Sequence, residues 1–133
     1  MKLALDHVVL EVRDVEATTA FYRELLGLAP VRLAEFRRGK APFVSGRVTD
    51  ATVIDFFPPP MWRNRRRAGN PNHLCFTLSR QAVAALRRRL AKRGVPIVRE
   101  SPRNFGALGW GVSFYFDDPD GVQLEARYYR NGA

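Results

Sequence analysis

Cysteine occurs once in this chain, at Cys75, and histidine only twice, at His7 and His73. A single thiol excludes an intrachain disulfide framework and a four-cysteine zinc site, and it fits a reducing compartment. Long apolar runs are also missing: no stretch approaches the roughly 20 residues that a membrane helix needs. The N-terminal MKLALDHVVLEV has one lysine and then charges at Asp6 and Glu11, where a secretory signal would need an unbroken apolar stretch. No membrane association is expected, and the expected location is cytoplasmic. Acidic residues are scarce, 13 against 22 Lys and Arg, for a formal net charge of +9. Such a surplus suits an acidic partner such as nucleic acid. Here, however, Arg87, Arg88 and Arg89 sit on one helix followed by Lys92 and Arg93, and Arg63, Arg65, Arg66 and Arg67 sit in a loop. No helix-turn-helix, zinc finger or paired aromatic RNA-binding motif accompanies them. The expectation is an arginine-rich solvated surface and no nucleic-acid partner.

What remains is a 133-residue chain, long enough to bury a core without staples and of single-domain size. Residues 4–12 read as an aliphatic, β-branched strand. Asp14 caps a helix, VEATTAFYRELLG, with Phe21/Leu25 and Tyr22/Leu26 spaced to form an apolar face and Gly27 at its end. Extended segments follow at about 29–36, 42–49 and 52–57, with turns at Gly39-Lys40 and Thr49-Asp50. Pro58-Pro59-Pro60 then ends the extended structure, and a basic, aperiodic stretch leads to Asn70. From there the pattern restarts. NHLCFTL is a strand, Ser79 caps RQAVAALRRRLAKR with Val83, Leu86 and Leu90 on one face, and Gly94 closes that helix. Extended segments follow near 96–100, 111–117 and 122–129, the last two joined by a turn at Asp117–Gly121. His7 and His73 stand 66 positions apart, Gly27 and Gly94 67 apart, and Asp55 and Glu125 70 apart. Near-constant offsets of three landmarks predict a duplicated βαβββ unit. Module 1 covers about 4–58, a linker about 59–70, and module 2 about 71–130, within one domain of α+β class.

Strand alternation places the chemistry. Val8 and Leu10 share one face of the first strand and His7 takes the other. Leu74 and Phe76 share one face of the fifth, and His73, Cys75 and Thr77 take the other. In the last strand Leu124 and Ala126 oppose Gln123, Glu125 and Arg127. Two histidines at equivalent positions and one carboxylate make a facial triad for a divalent metal, His7, His73 and Glu125, with coordination positions left open for substrate or water. Nitrogen and oxygen ligation of this kind suits Zn, Ni, Mn, Fe or Co. Asp55, in VIDFF, stands where a counterpart of Glu125 belongs. It is the weakest of the four candidate ligands because its side chain is shorter, and a base, a water-mediated ligand or a hydrogen-bond partner are its other roles. Glu125 and Asp55 are the candidate proton carriers. Gln123 and Arg127 share Glu125's face and are candidate contacts for an anionic substrate. Tyr115 is a candidate hydrogen-bond donor to substrate or else a core strand tyrosine, and Trp62 and Trp110, in connecting segments, are candidates for a lid or for an exposed-edge or packing role.

These segments resemble the vicinal oxygen chelate superfamily of glyoxalase I, fosfomycin-resistance transferases, extradiol dioxygenases and bleomycin-resistance proteins. LDHVVLEV followed by AFYRELLGL, then NHLCFTL, then SFYFDDPDGVQLEARYY carry the likeness, and the DPDG turn before a strand bearing a glutamate is its most specific part. The resemblance implies paired modules curled into a cup-shaped mixed sheet, a metal held by His7, His73 and Glu125, and a homodimer. It places Asp55 at the position of an additional glutamate in glyoxalase I. Ser113 and Tyr115 match substrate-contacting positions of the fosfomycin transferases, whereas Val9 stands where those enzymes carry threonine. Bleomycin-binding members lack the metal ligands that this chain keeps. The expected function is therefore a metal-dependent enzyme acting on a small oxygen-chelating substrate, of lyase, isomerase, transferase or dioxygenase type. A protein that sequesters a small toxic molecule without turnover is the alternative.

Overall fold

The computed structural model describes residues 1–130. The chain divides into two compact units, the first spanning Met1–Pro71 and the second beginning at Asn72. Each is an α+β module with one four-stranded mixed sheet.

In module 1 the elements run β1 (His7–Glu11), α1 (Val15–Leu26), β2 (Ala29–Val31), α2 (Leu33–Arg37), β3 (Val44–Thr49) and β4 (Thr52–Phe57). The sheet order is β1-β4-β3-β2. β1 and β4 pair in parallel, and the other pairs are antiparallel. α1 starts where Asp14 accepts the Ala17 N–H and stops at Gly27, whose φ of 71° is a left-handed conformation that glycine adopts without a Cβ clash. The helix buries Phe21, Tyr22 and Leu25 against Leu10, Val44, Ile54 and Phe56 of the sheet, and the Tyr22 and Phe56 rings stack at 5.3 Å. The extended segment expected over 29–36 breaks off at Val31. Arg32 turns the chain with φ 66°, and Leu33–Arg37 winds into the short α2, a run of good helix formers with no proline to stop it.

Module 2 repeats the plan with β5 (His73–Thr77), α3 (Arg80–Arg93), β6 (Arg99–Gly106), β7 (Gly109–Asp117) and β8 (Gln123–Tyr128). Its order is β5-β8-β7-β6, again with the first two strands parallel. Ser79 and Gly94 cap α3 at its two ends, and Val83, Leu86 and Leu90 are buried in a core with Phe114, Phe116, Leu124 and Ala126. The segment expected near 96–100 is a longer strand that starts later and runs to Gly106, forming a hairpin with β7 that places Trp110 in a strand. Pro102 lies inside β6, and the register shifts between Ser101 and Asn104. A proline cannot donate to the ladder, which is why an edge strand with an irregularity accommodates it.

The linker is folded rather than loose. Buried Glu11 accepts the backbone N–H groups of Arg63 at 2.8 Å and Gly69 at 2.5 Å. Its own main chain exchanges two hydrogen bonds with the Asn70 amide, at 2.9 and 3.1 Å, which satisfies the end of β1's outer edge. Trp62 donates its indole N–H to Phe57 O at 3.0 Å, which gives it a packing role. Among the described residues no helix is long and apolar enough to cross a membrane.

Glu11→Gln should place an amide N–H₂ among donors. The expected result is a loss of about 1–3 kcal/mol, the cost of unsatisfied buried polar groups, read from the denaturant midpoint, with faster tryptic cleavage among Arg63, Arg65, Arg66 and Arg67.

Candidate metal centre

Both modules set a histidine and a carboxylate side by side by the same register. His7 pairs with Val53, so Asp55 lies two residues further along β4, opposite Val9. His73 pairs with Gln123, so Glu125 lies two residues further along β8, opposite Cys75. Alternation then brings each histidine and its carboxylate to the sheet face opposite the helix.

In module 1, Nδ1 of His7 lies 2.7 Å from Asp6 Oδ1. An acceptor there fixes the proton on Nδ1 and turns the Nε2 lone pair outward. Nε2 stands 4.0 Å from Asp55 Oδ2, while Asp55 Oδ1 accepts the Ser45 hydroxyl at 2.6 Å. The Asp6 hydrogen bond, then the negative charge of Asp55, hold the His7 pKa above its ordinary value. Asp55 and Ser45 are buried.

In module 2, His73 Nδ1 lies 2.7 Å from Asn72 Oδ1, and Nε2 is 3.3 Å from Glu125 Oε1. Glu125 is 3% exposed. Its other oxygen, Oε2, accepts from Arg127 Nη2 at 3.0 Å, Arg127 Nε at 3.3 Å and Asn104 Nδ2 at 3.2 Å. Burial pushes the Glu125 pKa up, but Arg127 together with the Ser113 and Tyr115 hydroxyls outweighs it, and the carboxyl is held below its usual value. Asn104 Nδ2 also lies 2.6 Å from the Tyr115 hydroxyl and 3.2 Å from that of Ser113. Tyr115 and Ser113 therefore surround Glu125, and Arg99 lies 4.0 Å over the Tyr115 ring. Gln123 is half-buried at the start of β8. The donors of Arg127 are engaged within the module, on Glu125, Tyr129 and the carbonyls of Asn104 and Phe105. Burial, then the Glu125 charge, push the Cys75 thiol up to about 11.

Among the described residues no group of three or more His, Cys, Asp or Glu side chains is clustered closely enough to hold an ion; each module presents a pair. Metal–ligand bonds of about 2.1 Å at angles of roughly 90–110° separate two donor atoms by about 3.0–3.4 Å. The His73–Glu125 separation of 3.3 Å fits that requirement. The His7–Asp55 separation of 4.0 Å exceeds it, in keeping with the shorter Asp side chain. The His73–Glu125 pair offers one nitrogen and one oxygen donor at a spacing that a divalent ion accepts.

A family model described as the Glyoxalase/Bleomycin resistance protein/Dioxygenase superfamily matches residues 4–126. The chain belongs to this superfamily. Among its relatives, glutathione transferase FosA of Serratia marcescens is 30% identical, over 94% of this chain and 80% of that protein. Lactoylglutathione lyase of Neisseria meningitidis is 28% identical, over 98% and 94%. Virulence protein STM3117 of Salmonella typhimurium is 29% identical over 94% and 83%. Its crystal structure superposes with a TM-score of 0.74 at 26% identity, covering 97% of this chain and 98% of that one. These likenesses carry the α+β modular fold over to this member of the superfamily.

Sequence reasoning left out Asp6, Asn72, Ser45 and Asn104. The first two were readable, since an acid or amide precedes each histidine in equivalent strands. Asn104 was not, because the irregular β6 gives no alternating signal.

Arg127→Met leaves a buried carboxylate without its cation and should cost about 3–5 kcal/mol near neutral pH. In the wild type the depressed Glu125 pKa contributes stability above the carboxylate's unfolded pKa, and that stability is lost as pH falls. In the variant burial raises the same pKa. The gap between the two proteins should therefore narrow as pH drops through the carboxylate range. Urea unfolding of metal-free protein at neutral and acid pH measures it, and adding Glu125→Gln should recover part of the loss.

Proposed function

We propose that this protein is a divalent-metal-dependent enzyme acting on a small substrate that offers two adjacent oxygens, with His7, His73 and Glu125 as metal ligands and Asp55 as the fourth candidate. One observation carries the reading. The same pair, a histidine with Nδ1 pinned by the preceding residue and Nε2 turned to a carboxylate, occurs at the same register position of both modules. Two unrelated histidines have no reason to share partner, tautomer and register, whereas a ligand set does.

When bound, the ion would supply Lewis acidity toward the chelating oxygens of the substrate. The chain's own groups would do the rest. Asp55, one of whose oxygens accepts from Ser45, would hold or pass a proton. Tyr115 and Ser113, whose hydroxyls lie on the Asn104 amide beside Glu125, would contact a polar ligand, and Gln123 would add an amide on the same face. The names of two relatives carry glutathione, one as a transferase and one as a lyase. Thiol adducts and thiol acceptors are therefore the substrate classes to try. We also take the protein to work as a homodimer, with Zn, Ni, Mn, Fe or Co as the ion.

Metal analysis by mass spectrometry should find about one divalent ion per chain, with large losses in His7→Ala, His73→Ala and Glu125→Ala and a smaller one in Asp55→Ala, as expected for true ligands against an outlying one. Equal metal content in the wild type and all variants would overturn the ligand set. The metal-loaded protein would then be assayed with methylglyoxal–glutathione hemithioacetal, fosfomycin plus glutathione, and catechols. Metal-dependent binding of any of these without product would point to sequestration rather than catalysis.

A further inference from the structure

We infer that Arg127 is a positioning residue for Glu125. It ties one carboxylate oxygen to the turn end of the β6–β7 hairpin and so leaves the other as the atom that binds metal. This rests on the reading of Glu125 as a ligand given above, and it assigns Arg127 a task other than substrate contact.

The geometry separates the two oxygens. Oε2 takes three donors, two from the Arg127 guanidinium and one from Asn104. Oε1 is the oxygen turned to His73 Nε2, 3.3 Å away. A carboxylate held this way would offer an ion one oxygen, because offering both would require breaking the hydrogen bonds from the guanidinium. The guanidinium is itself held in place. Nη1 donates to the Tyr129 hydroxyl at 3.1 Å, and Nη2 to the carbonyls of Asn104 at 3.4 Å and Phe105 at 3.3 Å. The same Tyr129 hydroxyl accepts the Leu108 N–H at 3.1 Å. The hairpin backbone thus holds Arg127, and Arg127 holds Glu125.

Two further observations agree. Gly106 lies against this network so closely that a Cβ there would sit 1.6 Å from Arg127 Nη1 and 2.7 Å from the Tyr129 hydroxyl. The hairpin has glycine at the one place where a side chain would push the guanidinium away. Module 1 is built differently: the position equivalent to Arg127, two residues past its carboxylate, is Phe57, and Asp55 has a Ser45 hydroxyl instead of a cation. The clamp therefore belongs to Glu125 alone of the two carboxylates.

The test is titration of Co²⁺ into metal-free protein, followed by calorimetry and by the visible absorption of the bound ion, in the wild type, Glu125→Ala, Arg127→Lys, Gly106→Ala and Tyr129→Phe. Gly106→Ala keeps every charge and touches no ligand, yet displaces the guanidinium. Arg127→Lys and Gly106→Ala should each weaken Co²⁺ binding by about 10–100-fold, the usual effect of losing an outer-shell partner. Both should also shift the absorption bands as the carboxylate changes its mode of binding. Tyr129→Phe should move both readouts in the same direction by less. A purely structural Arg127 would lower the melting temperature of the metal-free protein and leave the spectrum unchanged; that result in folded variants overturns the proposal. Should the first two variants fail to fold, Tyr129→Phe decides on the same two readouts, an unchanged spectrum and affinity counting against the clamp. If Glu125→Ala binds Co²⁺ as the wild type does, or the wild type binds none, the metal reading fails and takes the clamp with it. If Glu125→Ala loses Co²⁺ while the other variants match the wild type, only the clamp fails.

Discussion

A carboxylate that is 3% exposed has to keep its charge where water does not reach it. Glu125 does so through Arg127 and Asn104, and much of module 2 is arranged around that requirement. Arg127, equally buried, brings its own demand, since five guanidinium N–H groups need acceptors. The main-chain carbonyls of Asn104 and Phe105 and the hydroxyl of Tyr129 supply them. That in turn brings β6 so close that residue 106 has no room for a side chain. A single buried charge thus accounts for a cation, an amide, a tyrosine and a glycine drawn from β6, β8 and the residue that follows β8.

The two modules solve one geometric problem with different chemistry. Parallel pairing of the first and last strands, in a register that sets the carboxylate two residues beyond the histidine's partner, produces the same juxtaposition twice. The cross-strand neighbour of each carboxylate on the third strand bears a hydroxyl, Ser45 opposite Asp55 and Tyr115 opposite Glu125. The compensation then diverges. A short aspartate with a serine needs little support, and it stays 4.0 Å from its histidine. A glutamate reaches further and needs fixing, because an extra methylene adds a rotatable bond that an ion would otherwise have to order. Duplicated topology preserved the positions, while each module acquired its own means of holding a charge.

This division explains what could be read in the sequence and what could not. Strand phase, helix caps and the repeat depend on periods of 2.0 and 3.6 residues and on Asp14, Ser79, Gly27 and Gly94, which are local signals. They located both histidines and both carboxylates on the correct faces. The short α2 was hidden because its start depends on Arg32 in a left-handed conformation, which non-glycine residues adopt rarely. The extent of β6 was hidden by Pro102 and the register shift beside it, and with it went Asn104 and the reason for Gly106. Arg127 was seen on the right face, but its partners come from a hairpin that no local pattern announces. Face can be inferred from one strand; satisfaction of a buried charge requires knowing every strand that packs against it.

The excess of arginine follows the same logic at the surface of the modules. Arg80 lies 5.1 Å from the Tyr128 ring and Arg87 4.5 Å from that of Phe114, with Arg87 also bonded to Glu100. Both arginines project from α3, a helix whose buried side chains are only Val83, Leu86 and Leu90. Three aliphatic groups make a narrow contact with a sheet, and arginine stems with guanidinium faces on aromatic rings widen it without an apolar surface being left exposed. Arg103 lies 3.7 Å over the ring of Trp110, which stays half-exposed on the β6–β7 hairpin, the element that holds Arg127. Charge in this protein therefore acts first as packing material, covering aromatic faces on the outside and a single carboxylate on the inside.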